Sequence, residues 1–142
     1  MSESITKYLS ASVDVPSSDS FDELANKLTQ LMPGFVFKEE VTSRYEEVPA
    51  YEAKQQTMEF VLFGVPPDEI GEHSEYGLHF KCRTDLPLED LLAQDAGGFV
   101  RRFVDENASV NEYGFLDVSD ELAALLVELG IPGCRPIRPV MN

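Results

Sequence analysis

Cysteine is scarce in this 142-residue chain: Cys82 and Cys134 are its only two. Small secreted scaffolds that lean on disulfides carry more, so both thiols are expected to stay reduced. Long apolar runs are missing as well. No stretch reaches the roughly 18 apolar residues that a membrane-crossing helix needs. The opening residues, Met1 to Lys7, hold no basic segment followed by an apolar one, which points to the cytosol.

Histidine is nearly absent too, with only His73 and His79 to serve as general bases. The chain contains no Gly-x-Ser-x-Gly elbow, no Gly-x-x-x-x-Gly-Lys-Ser/Thr phosphate loop and no dinucleotide-binding glycine fingerprint. A metal centre built from His73, His79 and Cys82 is not expected. Positions three apart on a strand leave opposite faces, and Cys82 belongs to an apolar stripe. No cofactor is expected either.

The last shortage is of positive charge. Eleven Lys and Arg face 26 Asp and Glu, a formal net charge of −15. Nucleic acid and anionic membrane reward cations through counterion release and surface potential, so both are disfavoured as direct partners unless a local basic patch compensates. A basic protein is the natural complement.

What is present suffices for a core: 43% of the residues are hydrophobic, including nine Phe and five Tyr. The length suits one unit, so residues 1–142 are expected to form a single domain, with residues 1–17 as a loosely attached N-terminal segment. Residues 11–20 are rich in small polar side chains. A helix is predicted at 20–32, where Ser20 and Glu23 make a capping box, Phe21, Leu24, Leu28 and Leu31 recur at helical spacing, and Pro33-Gly34 stops the pattern. The period then falls to two. Strands are predicted at about 35–45, 57–65 and 75–83, forming a three-stranded antiparallel meander.

Two or three C-terminal helices are expected to pack on that sheet. One begins behind Asp85 and either extends through or restarts after Gly97-Gly98; another starts with Ser119 as its cap and ends at Gly130. The proline-rich tail from Cys134 is expected to lie extended against the body. The predicted class is therefore α+β: an N-terminal helix, a three-stranded meander, then helices.

Candidate catalytic groups fail on geometry. Glu39-Glu40 and Glu46-Glu47 are neighbours, and neighbours on an extended strand point to opposite faces. Glu39 shares parity with Phe35 and Phe37, so a pocket around it would support a small enzyme using Glu39 or His79. Asp95-Ala96-Gly97-Gly98 ahead of Arg101-Arg102 is the nearest approach to an anion site at a helix start.

Charge, however, has an address. Between Lys38 and Glu75 ten carboxylates face three cations. The predicted partner-binding residues lie in the strand connections there: Tyr45, Glu46, Glu47, Tyr51, Glu52, Asp68, Glu69, Glu72 and Glu75. Tyrosine supplies rigid contact area while carboxylates steer the encounter with a basic surface. The expected function is an acidic protein-binding inhibitor without chemistry of its own. Its most concrete form is a bacterial immunity protein that blocks the basic surface of a cytosol-acting toxin domain such as a nuclease. A nucleic-acid mimic or adaptor is the alternative, and a small enzyme the second.

Overall fold

Residues 7–16 carry Leu9, Ala11, Val13 and Val15 on one side and Ser10, Ser12 and Asp14 on the other, an alternation that suits a strand buried on one face. In a computed structural model, which describes residues 6–39, 50–64, 75–95 and 97–137, this segment is the ten-residue strand β1, Lys7–Pro16. The expectation that the fold opens with a helix is thereby overturned: a strand precedes it. The small polar residues that suggested a linker are the outward positions of a strand whose inward positions are 0–2% exposed.

The three-stranded meander is overturned as well. Among the described residues the sheet has seven strands. After β1 come α1 (Phe21–Leu31), β2 (Lys38–Glu39), β3 (Ala50–Gln55), β4 (Met58–Phe63) and β5 (Glu75–Thr84). Then follow α2 (Leu88–Ala93), a 3-10 turn at Val100–Arg102, β6 (Phe115–Asp117), α3 (Ser119–Glu128) and β7 (Arg135–Pro136). The strands lie in the order β2-β3-β4-β5-β1-β6, with β7 also paired to β1. Of the strand predicted at 35–45, the described part pairs only at Lys38–Glu39; residues 40–49 lie outside the described residues. β3 falls where a connection between strands was predicted. Its outward side chains Glu52 and Lys54 hide the pattern, while Ala53 packs inward at 1% exposure.

β1 is central because both of its edges are used. One pairs antiparallel with β5 from Lys7–Thr84 to Pro16–Glu75. The other is shared end to end by β6, parallel at Tyr8 to Ser10, and by β7, antiparallel at Val13 and Asp14. Of the proline-rich tail, Arg135–Pro136 is bonded into the sheet, and residues 138–142 lie outside the described residues.

The inward faces of the strands and all three helices share one core, in which Phe35, Phe60, Phe80 and Phe99 are each no more than 1% exposed. The Phe60 ring lies 4.7 Å from Phe35 and 4.9 Å from Phe80, with Phe99 and Phe103 each at 6.1 Å. Burying one such side chain stabilises by roughly 1.5–3 kcal/mol.

Local chemistry sets the helix ends. Ser20 and Glu23 form a reciprocal capping box on α1. α3 ends in a Schellman arrangement: Ile131 N donates to Leu126 O at 3.0 Å and Gly130 N to Val127 O at 3.1 Å, with Gly130 at φ 107°. Ser119 is the first residue of α3, not its cap. Its hydroxyl accepts from Ser12 N at 2.9 Å and donates to Asp117 at 2.5 Å, tying the helix to β1. After α2 the chain restarts as a 3-10 turn and not as a second α-helix.

Candidate functional site

Most of the predicted partner-binding residues, Tyr45, Glu46, Glu47, Asp68, Glu69 and Glu72, lie outside the described residues. Tyr51 is on the inward side of β3, half-buried, where its ring meets Phe21 edge-on at 4.8 Å and its hydroxyl donates to Asp22. That carboxylate first, then burial, pushes the phenol up to about 12. Glu52 is on the outward side of β3, opposite Val61, and Glu75 opens β5 opposite Pro16. The described members are therefore dispersed: Tyr51 helps hold α1 on the sheet, and Glu52 belongs to the other face.

Glu39 keeps the parity read from the sequence, since it pairs with the inward Tyr51. β2 is the edge strand, however, and the carboxylate is exposed. His79 is on the outer face of β5, beside Ser12 of β1, with Ser12 Oγ 3.0 Å from His79 Nδ1. The ring meets Phe63 edge-on at 5.1 Å and lies over Gly77, where a β carbon would make an ordinary contact with Nε2 at 3.6 Å. Burial pushes the imidazole below its ordinary value, and Asp14 only partly offsets this. Asp14 is held in turn by Arg135 at 3.3 Å. None of Glu39, Ser12 and His79 lines either groove described next.

The anion site suggested by Asp95 to Arg102 is filled from within. Asp95 is 7% exposed, and its Oδ2 accepts from Val100 N at 2.6 Å and Arg101 N at 3.4 Å. The amides that would greet an anion greet this carboxylate.

Two grooves flank β6. The larger, about 680 Å³, lies on the helix side and is floored by Leu92, Phe103, Val104, Leu116 and Val118. Its rim carries the carboxylates Glu89, Asp105, Glu106, Asp117 and Glu121 against Arg101 and Arg102. Asp105 and Asp117 are partly used in local turns, accepting from Asn107 N and Ser119 N at 2.8 Å each. Glu89, Glu106 and Glu121 are exposed. Arg101 donates to Leu92 O at 2.8 Å, which fixes one wall.

The smaller groove, about 520 Å³, lies on the outer face of the sheet. It brings together Tyr8 and Phe115, whose rings stack at 5.1 Å, with Lys54, Lys81, Arg83 and Glu59. Glu59 is bridged by Lys81 at 3.1 Å and Lys54 at 3.3 Å. Burial raises its carboxyl, but the two ammonium groups more than offset this and leave it below its usual range. Neither groove was anticipated, because each draws on segments far apart in the chain.

Among the described residues no three His, Cys, Asp or Glu are placed to hold a metal ion, and no helix is long and apolar enough to cross a membrane. Comparison of the chain with protein-family models, with curated proteins and with solved structures finds no match in any of the three.

Proposed function

We propose that the protein acts in the cytoplasm by binding the basic surface of another protein, as an immunity protein neutralises a toxin domain, with the acidic groove beside β6 as a docking face. The observation that carries this reading is the groove's composition: five carboxylates and two arginines around an apolar floor. An apolar centre gives contact energy while rim charges steer approach and select for a basic partner. The predicted loop residues Glu46, Glu47, Asp68, Glu69 and Glu72 supply a second acidic address for the same kind of partner.

The test begins with capture of the partner from native lysate at low salt. A basic protein should be retained and released as salt rises, since screening weakens steering. Reversing Glu89, Glu106 and Glu121 together to Lys should then slow association by about tenfold or more. Reversal of the loop carboxylates measures the second address separately. If the complex ignores salt and both sets of reversals, the reading fails.

A further inference from the structure

We infer that this chain pairs with a second copy of itself through the outer face of the sheet around Phe115, as a two-fold dimer. This goes beyond the protein-binding reading and uses the other side of β6, so each copy keeps its acidic groove open.

The strand register lays out the surface. Arg83 of β5, Tyr8 of β1 and Phe115 of β6 are successive partners, so they form one row on the outer face, and the neighbouring row holds Lys54, Glu59, Lys81 and Ser10. Ser10, Lys54, Lys81 and Arg83 are exposed. Phe115 is 51% exposed and Tyr113, two residues before it, 71%. Exposed aromatics beside an arginine have the composition that dominates binding energy at protein interfaces.

β6 is last in the strand order, yet its free edge is closed to an added strand. Asn111 N donates to Phe115 O and Phe115 N donates to Asn111 Oδ1, both at 2.9 Å, so the turn at 111–114 occupies the backbone groups that pairing at Phe115 would need. A partner at this end meets the side chains of the face.

Charge selects a second copy as that partner. The row runs from a cation, Arg83, through Tyr8 and Phe115 to the turn that carries the exposed carboxylate of Glu112. Its two ends are of opposite sign. A two-fold axis lying in the interface parallel to β1 sets row against row with the direction reversed, so Arg83 of each copy meets the partner's Glu112 while the aromatic centres meet each other. Such an isologous contact closes at two copies. Arg83 forms no ion pair among the described residues and stands with its guanidinium 5.8 Å from the Tyr8 ring centroid, so the new pair displaces no existing one. Each copy carries a net charge of −15, but at physiological ionic strength charges farther apart than about 8 Å are largely screened.

The experiment is sedimentation equilibrium of the full chain from micromolar to millimolar concentration, at about 0.15 M salt. The parent should pass reversibly from monomer to dimer and stop there. Arg83→Glu, Glu112→Lys and Phe115→Ala, each checked for a native amide spectrum, should each weaken the dimer about tenfold or more. Mixing the two charge-reversed variants should restore pairing, because in the mixed dimer both contacts between positions 83 and 112 again join opposite charges. The inference is overturned by a chain that stays monomeric at millimolar concentration, by growth beyond two copies, or by variants that dimerise as the parent does. It is equally overturned if the mixture pairs no better than either reversed variant alone.

Discussion

Asp95 Oδ2 accepts a hydrogen bond from Val100 N at 2.6 Å, inside a region where the carboxylate is only 7% exposed. The bond starts the 3-10 turn that presents Phe99, Val100 and Phe103 to the core and Arg101 and Arg102 to the acidic groove. Asp95→Ala would leave the Val100 amide without its partner in a buried place, at a cost of about 1–3 kcal/mol. Asp95→Asn keeps an acceptor oxygen and should recover part of this. Urea denaturation of the two variants checks it. An alanine variant within about 0.5 kcal/mol of the parent would contradict the assignment.

Gly97 is required for two reasons and Gly98 for one. Gly97 has φ +90°, and a β carbon on it would lie 2.7 Å from Pro33 Cβ and 2.8 Å from the Pro33 carbonyl. Gly98 has φ +70° but meets only Arg101 Cδ at 3.8 Å. Gly97→Ala should therefore cost about 2–4 kcal/mol, from backbone strain and overpacking together. Gly98→Ala should cost roughly 1–2 kcal/mol, the strain alone. Equal thermal midpoints for the two variants would be the contrary result.

Tyr51 should ionise late. With its phenol at about 12 in the folded protein and about 10 unfolded, the folded state holds the proton more tightly. That contribution is complete below pH about 10 and is lost as pH rises toward about 12. Ultraviolet titration of tyrosinate should show a late-titrating phase that Tyr51→Phe reduces. An unchanged late phase in that variant would assign it to another tyrosine, such as Tyr76, whose phenol burial also raises.

His79 works at the other end of the scale. Its folded value is depressed, so the neutral ring favours the fold above about pH 6.5, and that stability is lost as pH falls through the folded value. His79→Gln should flatten the dependence of melting temperature on pH below about 6.5. An imidazole titrating above its ordinary value by NMR would reverse the sign and refute the account.

How much of the site was legible differs between elements. The capping box on α1 and the glycine stop of α3 depend on residues three to five apart, and such local chemistry can be read without a fold. The apolar run from Phe60 to Phe63 likewise marked β4, and alternation marked β5. β1 carried the same alternation, yet its outward Ser10, Ser12 and Asp14 resemble a linker until β5 is seen pairing along all ten of its residues. β3 was hidden in a similar way: Lys54 looks like surface until Glu59 of β4 is seen beside it, bridged also to Lys81.

By itself, then, the sequence determined the α+β class, the net acidity and the local helix boundaries, because propensity, capping and charge count need no partner distant in the chain. Only the tertiary structure decided that β1 is central, that Asp95 fills its own anion site, and that two grooves of contrasting lining flank β6. Phe115 faces one and Leu116 the other. Successive side chains on a strand leave opposite faces, so two adjacent residues serve different grooves, while each groove's remaining walls come from segments that only strand pairing and helix packing bring near.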